Sequence, residues 1–201
     1  MHLLRLVPLF LPMALLAQND PTVEPPTMLE VTVGGSARKV ADGERFDVNG
    51  TAVVARLSDT RTLHTGTFSF DYPRHFAFEY DGATEGMKHW TLDGNNVVLM
   101  VFEVDGQGEV KDFEEGMIEQ FGSRNCKPSN TSLKLGGRSY SGRRLDIEMA
   151  GAKLSLDMVK LDGTGDRSRF LFVQDTKNDD GTPSAERTET LKVIDRSIAY
   201  P

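Results

Sequence analysis

The sequence predicts an α+β domain: an antiparallel sheet with helices on both faces, an α/β/α sandwich, preceded by a small N-terminal β meander. Two runs carry the sheet. Val97-Val-Leu-Met-Val-Phe102 is apolar at every position, and Arg169-Phe-Leu-Phe-Val173 is apolar on both parities, so each reads as a central strand buried on two faces. Turn dipeptides between short alternating runs predict hairpins. Two amphipathic helices are on hand, one for each face.

In chain order, Met1-His-Leu-Leu-Arg5 is a positive n-region, Leu6–Leu16 an apolar core and Ala17 a small residue for cleavage before Gln18. Residues 1–17 are therefore expected to be a signal peptide, and the mature chain to be exported, periplasmic or secreted, and not an integral membrane protein. Gln18–Thr27 holds three prolines and no apolar period, and reads as a disordered tether. The rest, 28–201, reads as one domain, with the meander over 28–64 and the main body over 65–201.

The meander rests on Leu29-Glu-Val-Thr-Val33, Glu44-Arg-Phe-Asp-Val48 and Thr51-Ala-Val-Val-Ala-Arg-Leu57, separated by Gly34-Gly35, Asp42-Gly43 and Asn49-Gly50. Ser58–Gly66 reads as a polar connection. Phe68-Ser-Phe70-Asp-Tyr72 and Phe76-Ala-Phe78-Glu-Tyr80 alternate aromatic with small or polar residues on either side of Pro73, which lacks the N–H a ladder needs. After Trp90, Asp93-Gly94-Asn95 turns the chain into the first central strand.

Val110, Phe113, Met117, Ile118 and Phe121 then share one helical face, with Gly122 where a C-terminal cap belongs. Asp112 with Glu115 fits a capping box, and Glu109 permits an earlier start. Asp112, Glu115 and Glu119 make the opposite face acidic, the pattern of a solvated surface. Strands are predicted near Ser132–Leu135, Arg138–Ser141 and Arg144–Met149. Beyond Ala150-Gly151, Leu154, Leu156 and Met158 alternate with Lys153, Ser155 and Asp157. Thr182-Pro183 is a start signal for a closing helix through about Ala199, with Leu191, Ile194 and Ile198 as its stripe.

Phe68–Pro73, Leu135–Tyr140 and Arg196–Ile198, in this order of elements, resemble the PsbP-like superfamily, and in particular DcrB-like bacterial envelope proteins. The resemblance covers roughly residues 65–200 and lies in pattern. It implies a non-enzymatic protein, since most members lack a catalytic site, and the strands of 28–57 depart from it.

Composition narrows the function. A net charge of -7 argues against sequence-independent nucleic-acid binding, which needs a basic surface. Cys126, the single cysteine, cannot form an internal disulfide. Gly137-Arg-Ser139-Tyr-Ser141-Gly lacks the nucleophile-elbow spacing, and the chain has no His-Glu-x-x-His, cysteine pair or phosphate-cradling glycine loop. No cofactor is expected. His64, His75 and His89 are the histidines beyond the leader, and the last two flank the aromatic strands where either could meet a carboxylate.

One metal candidate stands out. Asn178, Asp180 and Gly181 match the third, fifth and sixth positions of a calcium loop. Thr176 replaces the first acid and Glu186 falls one residue short of the bidentate position, so a polar turn ahead of a helix is the alternative. Glu114 lies inside the apolar stripe, where a buried carboxylate could mark a site. Its place in the first helical turn favours a wetted acid. Lys134, Arg138, Arg143 and Arg144 form a basic cluster that could receive an acidic partner, or simply protect a solvated strand edge.

The expectation is thus an exported, non-enzymatic module that binds an envelope protein or supports assembly, through an exposed edge or beside the Asp112–Phe121 helix. The alternative is a binder of small ligands or apolar segments in a groove between sheet and helix.

Overall fold

Alternation along each strand sorts the apolar side chains of this chain onto two sheet faces, and everything else packs around that division. The structure, a computed structural model, describes residues 21–25, 28–41, 54–163 and 166–200. The expected leader over 1–17 and the Glu44–Val48 strand lie outside the described residues.

β1 (Met28–Val33), β2 (Ser36–Ala41) and β3 (Val54–Leu57) form an antiparallel sheet in the order β2-β1-β3, with Val31 and Val40 buried. β4 (Thr60–His64) and β5 (Ser69–Pro73) pair as a separate ribbon. There follow β6 (Ala77–Asp81), β7 (Met87–Asp93), β8 (Val97–Asp105), helix α1 (Val110–Phe121), β9 (Cys126–Leu135), β10 (Arg138–Met149), β11 (Ala152–Leu161), β12 (Arg167–Thr176) and helix α2 (Ala185–Ser197). β6 to β12 make one seven-stranded antiparallel sheet in the order β6-β7-β8-β12-β11-β10-β9. The two runs apolar on both parities, β8 and β12, lie side by side within it.

On one face Leu99, Val101, Leu171, Val173 and Trp90 meet Leu63, Phe70 and Tyr72 of the ribbon and Ile194 of α2. On the other Phe102, Leu156, Met158, Phe170 and Phe172 receive Phe113, Met117 and Phe121 of α1. Phe113 sits 4.9 to 5.3 Å, centroid to centroid, from Phe102, Phe170 and Phe172.

This overturns the expected α/β/α sandwich: the architecture is mostly antiparallel sheet, and two helices cannot cover both of its faces. Seven strands span about 30 Å at their usual spacing, whereas one helix is about 10 Å across. The β4–β5 ribbon shares one face with α2, and on the other face α1 packs on β10, β11 and the aromatics of β8 and β12, so that among the described residues no helix covers the β6–β7 side.

Local signals shift several boundaries. Glu109 caps α1, with Asp112 completing the reciprocal box, so the earlier start prevails. Ser184, not Thr182, caps α2, its hydroxyl accepting from the Arg187 N–H at 3.0 Å. Ser58–Gly66 is not only a connection: it contains β4, where Leu63 is buried. The aromatic arms divide at Pro73, β5 joining the ribbon and β6 becoming an edge of the main sheet. Within the expected tether, Pro21 accepts a hydrogen bond from Trp90 Nε1 at 2.6 Å, and Pro25 accepts from Arg61 at 2.7 and 3.0 Å. Among the described residues, no helix is long and apolar enough to cross a membrane.

Candidate functional site

Strand alternation takes the basic cluster apart. On β10, Arg143 faces α1 and Arg144 faces α2. Glu114 is buried, not wetted as its place near the helix start suggested, because its turn of α1 lies flat on the sheet. A buried carboxylate needs a partner, and Arg143 donates to it from Nε and Nη2 at 2.9 to 3.1 Å. Arg144 donates to Asp157 at 2.6 and 2.8 Å, joined by Arg187 at 2.5 Å and the Thr131 hydroxyl at 2.9 Å. Burial works to raise the Asp157 carboxyl, but the Arg144 and Arg187 hydrogen bonds and charges together hold it below the usual range. Arg138 pairs separately with Asp162 at 2.6 Å.

The calcium candidates do not converge. Asn178 donates to Thr182 Oγ1 and to the Pro183 carbonyl, while Asp180 accepts from the Thr182 N–H and hydroxyl at 2.9 and 2.6 Å. Glu186 turns away to the β7–β8 turn, accepting from the Asn95, Asn96 and Val97 N–H groups and lying 2.7 Å from His75 Nε2. Burial acts to raise this carboxyl, and the hydrogen bonds from His75 and those three N–H groups outweigh it. Among the described residues, no three His, Cys, Asp or Glu side chains are gathered as metal ligands. Cys126 is buried, which pushes its thiol pKa up.

A different group occupies the part of the sheet that α1 leaves open. Glu79 and Asp81 on β6 lie opposite Thr91 and His89 on β7, and these side chains line a recess of about 360 Å³. The His89 ring stacks on Phe102 with centroids 4.2 Å apart and planes 8° from parallel. Its Nε2 is 3.2 Å from Thr91 Oγ1. Burial lowers the His89 pKa against the opposing pull of Asp81 and Glu79. At neutral pH the ring is therefore uncharged, and two carboxylates set the sign of the recess. Such a recess suits an ammonium or guanidinium group.

The backbone beside it is open as well. Among the described residues β6 pairs with β7 alone. The opposite edge strand, β9, carries Lys127, Pro128 and Lys134, residue types that discourage pairing, whereas β6 contains neither lysine nor proline. No family model and no curated protein matches the chain. Phe78 and Tyr80 alternate with Glu79 and Asp81, so the sequence does place both acids on one strand face. The partner strand, and with it His89, depends on a register that sequence alone does not supply.

Proposed function

We propose that this chain is an exported, non-enzymatic binding module of the cell envelope that engages a partner protein at the β6 edge. The partner presents an extended segment that adds to the sheet beside β6 and places a lysine or arginine in the Glu79–Asp81–His89 recess. The observation that carries this is the coincidence of a strand edge, unpaired among the described residues, with an acidic recess on the same strand. Main-chain hydrogen bonds along such an edge supply affinity, and a side-chain pocket supplies selectivity. The alternative of an apolar groove between sheet and helix is less favoured, because Phe113 fills that space against Phe102, Phe170 and Phe172.

The test is affinity capture from the envelope fraction, followed by titration of the purified partner. Glu79→Lys with Asp81→Lys should weaken binding by about tenfold or more, as like charges then face each other across the contact. Glu115→Lys with Glu119→Lys, on the exposed side of α1, should leave it unchanged. The opposite pattern would move the interface to α1. A turnover by the purified protein, abolished by replacing one histidine or acid, would overturn the reading.

A further inference from the structure

Away from the β6 edge, where β10 turns into β11, a groove of about 440 Å³ gathers Arg124, Lys127, Lys153 and Lys177 with Asp146 and Glu148. We propose that it binds a phosphate group, as the dianion of a phosphate monoester or of inorganic phosphate. The site goes beyond the β6-edge reading and does not depend on it.

The charge distribution carries the argument. Lys177, only 17% exposed, is neutralised by Asp146 at 2.6 Å. Lys153 uses one of its three donors on the Asp179 carbonyl at 2.8 Å and adds to the Thr182 hydrogen bonds that hold the Asp180 carboxyl below its usual range. Among the described residues, the side chains of Arg124 and Lys127 have no hydrogen-bond or ion-pair partner. Arg124, Lys127 and Lys153 thus line the groove with the carboxylate of Glu148, and Asp180 acts on Lys153 from beside the lining, in a chain whose net charge is -7. Holding like charges around one concavity is unfavourable without a counter-charge, and a bound anion supplies it. A guanidinium fork beside two ammonium groups suits the several oxygens of a phosphate. The volume falls in the range of small-ligand sites, about 300–1,000 Å³.

The same phosphate chemistry could arrive free or on a lipid headgroup, and two arms separate the sources. Isothermal titration of the full chain at low ionic strength uses inorganic phosphate and glycerol phosphate. Cosedimentation uses vesicles containing phosphatidic acid. Saturable binding in either arm is expected, weakened about tenfold or more by Arg124→Gln with Lys127→Gln, at unchanged melting temperature. Lys111→Gln on α1 and the Glu79→Lys, Asp81→Lys pair should leave it intact. Binding to vesicles alone, lost in the Arg124–Lys127 variant, assigns the phosphate to a lipid. Absence of saturable binding in both arms, undiminished binding in that variant, or succinate binding as tightly as phosphate would overturn the proposal.

Discussion

Arg187 of α2 reaches Asp157 of β11 across the gap between helix and sheet, nitrogen to oxygen at 2.5 Å, and the carboxylate it meets has no solvent exposure. Because Arg144 and Thr131 bind the same carboxylate, one side chain ties three strands to the closing helix. Replacing Asp157 with Ala should cost about 2–4 kcal/mol, since it strands the largely buried Arg187 and takes the partner from Arg144, which is 30% exposed and recovers some water. Arg187→Met should cost less, because Asp157 then keeps Arg144 and Thr131. Urea unfolding measures both, and an Asp157→Ala loss below about 1 kcal/mol would mean that the cluster does not hold the helix.

That cluster also marks where sequence legibility ends. Val97–Phe102, Phe170–Val173 and the stripe of α1 were legible because each declares its burial within a few residues. Asp157 was not. Between Leu156 and Met158 it has the alternation of a solvent-facing position, and only the packing of α2 on that face buries it. Glu114 and Arg143 are likewise 29 residues apart and meet only once α1 lies on the sheet. The expected sandwich went wrong for a related reason: the helix count was legible, but the width of the sheet and the separate β4–β5 ribbon depend on which strands pair. The sequence places Glu79 and Asp81 on one face and leaves their neighbour His89 unassigned.

The adjacent central strands give a direct test of burial. Leu99 and Phe172 are both fully buried, on opposite faces of the sheet. Leu99→Ala should cost about 2–5 kcal/mol and Phe172→Ala about 3–5 kcal/mol, from lost transfer energy and an unfilled cavity. As the two side chains belong to separate clusters, the double variant should be close to additive. A measured loss well under 1 kcal/mol at either position would contradict the packing of that face.

Gly142 in the middle of β10 shows why one residue of that strand has no side chain. A Cβ there would stand 2.0 Å from the Met158 carbonyl oxygen of the neighbouring strand, backbone that cannot rotate away. Gly142→Ala should therefore destabilise, although alanine ordinarily favours an ordered strand over glycine. The expected loss is about 1–3 kcal/mol, as for other overpacked sites. Gly116→Ala on α1, where a Cβ meets nothing within 4 Å, should instead stabilise slightly. Thermal unfolding of the two variants should give shifts of opposite sign. Equal shifts would remove the steric account of Gly142.

His89 makes the stability of the recess depend on pH. Burial against Phe102 lowers its pKa in the folded chain from the unfolded value of 6.5, more than Asp81 and Glu79 raise it. Between those two values the unfolded chain holds a proton on this ring that the folded chain does not. Stability therefore rises with pH across the window, and falls as pH drops through 6.5 toward the folded pKa. His89→Phe keeps an aromatic ring on Phe102 and removes the proton, so that part of the profile should flatten. His64 and His75 remain in both proteins, which makes the difference between wild type and variant the quantity to follow. Unfolding free energies measured from roughly pH 8 to pH 5 should show the variant gaining on the wild type as the solution becomes more acidic. Below the folded pKa the ring protonates in the folded chain too and places a positive charge beside Glu79 and Asp81, where the partner's lysine or arginine is proposed to sit. Partner binding should therefore hold level across that window, weaken only once pH falls through the lowered folded pKa in the wild type, and stay level in His89→Phe. A stability difference that is flat, or that moves the other way, would show that the ring is not held neutral by its burial.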